Sequence, residues 1–240
     1  MKKVLVLSST LLLVLALFVF LNMEVTTGQG IDFKNSRLKL PLYLKVLNFY
    51  DRHFNKKWLT KRITGHLETK DEKIFRLFQW TYETIRPQPK NIPVFDDHVW
   101  SVYIRRYGGS ENFNDLFTTL CNYIGTNATL IRVYNKETRK RITLSAVLSQ
   151  RGWVIFDPWK GVYFNNNKGH WATIEEIKKE NWRLEKLGET DILDSYYKSF
   201  FENLTNIQEN ELHRANIQSP INRIKYQLSK WFLDERPLFE

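Results

Sequence analysis

Residues 108–125 read GGSENFNDLFTTLCNYIG, and this stretch decides the fold. Phe113, Leu116, Phe117, Leu120, Cys121 and Ile124 recur at three and four residues, which gathers their side chains on one face of an α-helix. Gly125 follows where the pattern ends and supplies a C-terminal stop. The spacing predicts a central buried helix beginning at the Gly108-Gly109-Ser110 turn. At its N-terminus the Ser110 hydroxyl is expected to cap a free backbone N–H. Cys121, mid-helix on the apolar face, reads as a buried, inert thiol.

Three segments rich in β-branched and aromatic residues come next: Thr129–Tyr134, Ile142–Leu148 and Trp153–Asp157. Polar turns around Lys136–Lys140 and Ser149–Gly152 separate them, which predicts an antiparallel sheet. Upstream, Thr69 and Glu72 have capping-box spacing, and Ile74, Leu77, Phe78 and Ile85 follow on one helical face until Pro87. Arg86–Asp97, with Pro87, Pro89 and Pro93, is expected to be an extended surface loop. A second capping box at Thr173–Glu176 starts a short helix, and two further helices are expected over Ile192–Leu204 and Ile221–Phe232, the last opened by Ser219 and Pro220.

The chain has 240 residues, 42% of them hydrophobic and 15% aromatic, enough to drive burial of one core. Lys and Arg number 36 against 26 Asp and Glu, a net charge of +10 that favours anionic partners such as anionic lipid or acidic glycan. The densest basic cluster, Lys136, Arg139, Lys140 and Arg141, is diluted by Glu137, and no glycine-aromatic RNA-binding motif accompanies it, which counts against nucleic acid. One cysteine excludes an internal disulfide and a cysteine-rich zinc site, and five scattered histidines do not suggest a metal. No cofactor is expected.

Lys2 and Lys3 precede the apolar run Val4–Leu21, whose helix would span about 27 Å, close to the hydrocarbon thickness of a bilayer. Asn22, Met23 and Glu24 follow rather than a small-x-small cleavage site, so an uncleaved anchor is expected and cleaved secretion comes second. The lysines before the run and the acids after it place the body outside the cytoplasm. Gly28–Arg37 reads as a tether, followed by a helix over Leu40–Phe54 starting near Pro41.

The order of helix, Gly-Gly-Ser turn, buried helix ending in Gly, and strands ending in Gly-Trp-Val-Ile-Phe-Asp-Pro resembles the transglutaminase-like, papain-related fold over roughly Asp71–Leu187. That family has a G-x-C element at the buried helix, a His on the next strands and an Asp four residues after a Trp. Gly108, Gly109 and Ser110 fill the first element here, and Asp157 after Trp153 fills the last. Phe117, seven residues beyond Ser110, and Gly125 match the family's aromatic and helix-ending glycine. Asp97-His98 ahead of Arg106-Tyr107-Gly108, and Phe156-Asp157-Pro158 before Gly161, are similar to uncharacterised transglutaminase-like proteins found with bacterial surface-polysaccharide genes.

The resemblance implies an α+β fold, a buried central helix packed on an antiparallel sheet, with extra C-terminal helices. It divides the chain into an anchor or signal segment (1–23), a tether and N-terminal helical extension (24–70), the transglutaminase-like domain (71–187) and a C-terminal helical extension (188–240). It also implies that the family's chemistry is lost. A Cys at a helix N-terminus beside a His becomes a thiolate near neutral pH, whereas a Ser hydroxyl needs a general base within hydrogen-bond reach. The family's His falls near Arg141–Thr143, where no histidine stands. Losing a triad nucleophile or base costs on the order of a million-fold in turnover.

Ser110, Thr143 and Asp157 are therefore expected to be remnant positions of a non-catalytic domain that binds an acidic glycan or envelope protein in envelope or polysaccharide assembly. Two other readings stand beside it. One is a Ser110-dependent hydrolase or acyltransferase that takes His98 or His170 as a non-family base. The other is a purely structural membrane-attached module.

Overall fold

The computed structural model describes residues 2–31, 34–92, 96–189 and 191–207, with positions 219, 221, 224, 225 and 228 beyond them. In chain order the elements are α1 (Lys2–Asn22), β1 (Glu24–Ile31), β2 (Lys34–Pro41), α2 (Leu42–Thr64), α3 (Lys70–Thr84), β3 (Arg86–Pro87), α4 (Val99–Arg105), β4 (Tyr107–Gly108) and α5 (Ser110–Tyr123). They continue with β5 (Ala128–Tyr134), β6 (Arg141–Ser149), β7 (Gly152–Asp157), β8 (Val162–Asn165), α6 (Ile174–Lys178), β9 (Arg183–Lys186) and α7 (Asp194–Phe201).

Strands β5 to β9 form one antiparallel meander in sequence order. One face of it is covered by α2, α3, α4 and α5, with Phe78, Phe117 and Phe156 meeting at centroid distances of 5.9, 5.0 and 5.4 Å. Leu77, Phe78, Phe117 and Leu120 are fully buried there. The opposite face carries Leu144, Ala146, Ile155 and Phe164 against Ile174 and Ile177 of α6 and Tyr197, Phe200 and Phe201 of α7. The fold is thus three layers, with the sheet and its three expected strands in the middle and the expected α5 helix in the layer on one face.

Both capping boxes form: Thr69 accepts from the Glu72 amide and Thr173 from the Glu176 amide. Other expectations are corrected. The tether over Gly28–Arg37 is instead part of the β1–β2 hairpin, in which Val25 opposes Leu40 and Thr26 opposes Lys39. The helix expected to end at Phe54 runs on to Thr64, because no glycine or proline interrupts it and Leu59 and Ile63 still reach the core. The stretch read as an extended loop pairs Arg86 and Pro87 with Tyr107 and Gly108, and α4 follows it with His98 as its cap.

The helix expected over Ile221–Phe232, opened by Ser219 and Pro220, lies, apart from isolated positions, outside the described residues, as does Pro93. The side chains of α1 are described from Val6 onward, and among the described residues no helix is long and apolar enough to cross a membrane.

Phe78 touches rings from α5 and β7 at once, so truncation leaves a cavity that neither layer can close alone. Phe78→Ala should lower the unfolding free energy by about 3–5 kcal/mol, read from urea denaturation. A loss below about 1 kcal/mol would show that the aromatic cluster does not hold the layers together.

Candidate functional site

At Gly108 a Cβ would fall 2.7 Å from the Asn112 Cβ, so only glycine lets the turn close against the helix that follows. The Gly109 N–H donates to Asn112 Oδ1 at 2.9 Å, which makes Gly109 the cap and Ser110 the first helical residue. The capping role expected of Ser110 is therefore taken by its neighbours. The Ser110 carbonyl accepts from Asn114 Nδ2 at 2.8 Å, and the same amide donates to the Thr143 carbonyl at 3.1 Å. The Ser145 hydroxyl donates to Asn114 Oδ1 at 2.7 Å. One buried side chain thus ties the start of α5 to β6 and brings Ser110 and Thr143 to the same side of the sheet.

What stands beside that turn is an ionic cluster rather than a base. Glu111, next after Ser110, pairs with Arg132 Nε at 3.2 Å and Arg141 Nη2 at 3.4 Å. Arg132 lies directly opposite Thr143 in the β5–β6 ladder, and Arg141 opposite Tyr134. The turn at Ser110 is thus flanked by guanidinium and carboxylate groups that bind each other.

Asp157 points elsewhere. Ser145 opposes Phe156 in the β6–β7 ladder, and strand side chains alternate, so Thr143 shares the face of Phe156 while Asp157 shares the face of Leu144. The Tyr197 hydroxyl of α7 donates to Asp157 Oδ2 at 2.8 Å, and the Lys160 N–H donates to Oδ1 at 3.1 Å. Burial pushes the Asp157 carboxyl up to about 6, against the pull of the Tyr197 and Lys160 hydrogen bonds. Tyr197 is itself pushed up by burial and by the neighbouring Asp157. Of these three positions, Ser110 and Thr143 are bridged through the Asn114 amide, and Asp157 lies on the opposite face of the sheet.

The alternative bases serve other ends. His98 caps α4, its Nδ1 accepting from the Trp100 N–H at 3.2 Å. His170 is exposed, in a shallow pocket of about 230 Å³ with Asp71, Ser149, Arg151 and Trp171, and Ser110 does not line it. That pocket holds Ser, His and Asp, but the Ser149 hydroxyl donates to the Gly152 carbonyl at 2.8 Å and accepts from the Arg151 N–H. Asp71 accepts from the Gln150 N–H. These side chains build the β6–β7 turn. Cys121 is fully buried, and burial raises its thiol well above the usual range. Among the described residues no group of three or more His, Cys, Asp and Glu is placed to hold a metal.

Residues 57–158, which contain all three remnant positions, match the family model of the transglutaminase-like superfamily. The chain carries a transglutaminase-like domain. Its helix-on-antiparallel-sheet core is the architecture this family implied. No curated protein matches the chain.

Among solved structures, a candidate cysteine protease from Cytophaga hutchinsonii aligns at 16% identity and TM-score 0.39, over 48% of this chain and 42% of that one. A candidate protease from Parabacteroides distasonis aligns at 11% identity and TM-score 0.37, over 55% and 35%. A structure described as a TGase aligns at 11% and 0.39, over 79% and 54%. The chain spans about half or less of the length of these structures.

Sequence reasoning missed Tyr197 as the partner of Asp157, because 40 residues separate them and no motif links them. Burial of the Asp157 carboxyl has a pH signature. The folded carboxyl titrates near 6 against an ordinary 3.8, so between those values it holds a proton that the unfolded chain has released. Its stabilisation is full below about pH 4 and is lost as pH rises through about 6. Relative to Asp157→Asn, the wild type should lose about 2 kcal/mol between pH 4 and 7, measured by urea midpoints across that range. Parallel profiles for the two proteins would show that the carboxyl is not raised.

Proposed function

We propose that this protein is a non-catalytic transglutaminase-like domain held at the outer face of a cytoplasmic membrane, where it binds a glycan or protein partner in envelope or polysaccharide assembly. The observation that carries the reading is the separation of the remnant triad. Ser110 stands where the family has Cys, no imidazole accompanies Thr143, and the Asp157 carboxylate is bonded to Tyr197 on the other face of the sheet. A serine without a base has no thiolate-like state to attack an acyl carbon. Glu111 with its two arginines occupies the helix N-terminus instead.

Membrane attachment is supported by the exposed apolar side chains of α1, among them Leu11, Leu12, Leu15 and Phe18. Leu47, Tyr50, Phe54 and Trp58 of α2 add a second exposed apolar and aromatic stripe at helical spacing, the composition that favours a membrane–water interface. The net charge of +10 suits an anionic lipid surface or an acidic polymer.

Two measurements test the two halves of this reading. Full-length protein in detergent, treated with an activated acyl ester and weighed intact, should gain no mass that Ser110→Ala abolishes; a Ser110-dependent adduct, or amide turnover above background, overturns the non-catalytic reading. Expressed membranes washed with alkaline carbonate should retain the full chain and release a version lacking residues 2–22. Release of the full chain would remove the anchor from the account.

A further inference from the structure

A second basic site lies on the helical layer, apart from the remnant triad. It is a pocket of about 330 Å³ between the end of α2, the middle of α3 and the end of α4, lined by Arg62, His66, Arg76, Trp80, Tyr103 and Arg106 above a floor of Leu59 and Ile63. Its volume is at the lower end of the 300–1,000 Å³ range of small-molecule sites. None of its residues belongs to the positions around Ser110.

Three guanidinium groups and an imidazole converge there with little to neutralise them. Arg76 pairs with Glu83 at 3.5 Å, an exposed contact on its outer side. Among the described residues, no carboxylate pairs with Arg62 or Arg106. Both are held instead by aromatic faces: the Arg62 guanidinium sits 5.3 Å from the Trp58 ring centroid and that of Arg106 sits 4.2 Å from the Tyr103 ring. Stacking leaves the N–H donors in the guanidinium plane free to point outward, in the fork geometry that matches a carboxylate or phosphate. Contrast the turn at Ser110, where Glu111 already satisfies Arg132 and Arg141.

The backbone at Arg106 adds a second observation. Its φ of 64° is left-handed, in a position that ends α4 and that glycine fills at least cost. The conformation itself serves the fold, since the Arg106 carbonyl accepts from the Arg86 N–H at 2.8 Å. An arginine side chain is not needed for that bond. Keeping Arg there places a guanidinium over Tyr103 at the mouth of the pocket, at a backbone cost that glycine would avoid. Trp80 and Tyr103, 5.8 Å apart, supply flat apolar walls on which a ring can rest.

We propose that this pocket binds an anionic saccharide, its carboxylate or phosphate held by Arg62, Arg76 and Arg106 and its ring resting against Trp80 and Tyr103. The proposal rests on the reading of the chain as a partner-binding domain and gives that partner a place and a chemistry. It moves the ligand from the remnant catalytic turn to the helical layer.

Calorimetric titration of the full chain in detergent tests it with four probes: trigalacturonate, glucose 6-phosphate, inorganic phosphate and uncharged glucose. Trigalacturonate or glucose 6-phosphate should bind, with affinity falling several-fold from low to physiological salt. Inorganic phosphate should bind at least tenfold more weakly, and glucose should not register. Arg62→Gln and Arg106→Gly, the second preserving the left-handed backbone, should each weaken binding about tenfold or more without lowering the melting temperature. Arg132→Gln should leave it unchanged.

Absence of binding by both charged saccharides overturns the proposal, and so does binding that ignores Arg62 and Arg106. Inorganic phosphate binding as tightly as the saccharides would remove the sugar ring from the account. Loss of binding in Arg132→Gln alone would return the ligand to the turn at Ser110, sinking this site while leaving the non-catalytic reading intact. That reading fails separately, on a Ser110-dependent acyl adduct.

Discussion

The amide of Asn114 is the fixed point of the structure. The side chain is fully buried, and both of its donors and its acceptor are engaged, by the Ser110 carbonyl, the Thr143 carbonyl and the Ser145 hydroxyl. A buried amide left unpaired costs roughly 1–3 kcal/mol for each missing bond, so the helix cannot slide or turn on the sheet without breaking several at once. Aromatic burial supplies most of the attraction between α5 and β6 but is non-directional. Asn114 converts that attraction into one register, in which the Ser110 and Thr143 carbonyls share its amide.

A second constraint follows from the turn that joins β6 to β7. Ser149 opposes Gly152, and Gly152 has a positive φ of 131° that a residue with a side chain rarely adopts. That closure fixes which residues face each other along the whole hairpin, because strand side chains alternate and a shift of one residue exchanges the two faces. With this register, odd-numbered residues of β6 face α5, and odd-numbered residues of β7 face α7. Asp157 is thereby committed to the α7 side, where burial would strongly disfavour its charge if Tyr197 and the Lys160 amide did not bond it. Helix α7 is thus coupled to the sheet by a polar contact inside an otherwise apolar layer.

Much of this was legible in the sequence, and the failures have physical reasons. The α5 helix, both capping boxes and strands β5, β6 and β7 could be read because their side-chain periodicity and cap chemistry are local. Strands β8 and β9 were missed: Val162–Asn165 and Arg183–Lys186 are short and depend on pairing with distant chain. Helix α4 hid behind a proline-rich stretch, since its cap is a histidine rather than Ser, Thr, Asp or Asn. The family resemblance picked out Ser110 and Asp157 by motif spacing along the chain. It could not show that Asp157 faces away from Thr143, because that depends on the hairpin register rather than on motif spacing.

The distribution of positive charge separates the two basic regions. At the Ser110 turn, Arg132 and Arg141 share Glu111, whose side chain is only 17% exposed, so the charges neutralise one another and stiffen the junction of α5 with β5 and β6. Near α4, Arg62 and Arg106 lean on aromatic rings that provide electrostatic attraction without neutralising charge. Like charges held close repel, and the repulsion is tolerated at a surface when solvent or a ligand screens it. A fold that spends Glu111 on one pair of arginines and leaves the other pair resting on aromatic rings has kept its local positive potential at the helical pocket. Of the two arginine groups, the one whose charge is left for a ligand is therefore that at the helical pocket, where Arg62 and Arg106 rest on rings, and not that at the Ser110 turn, where Glu111 already binds both guanidinium groups.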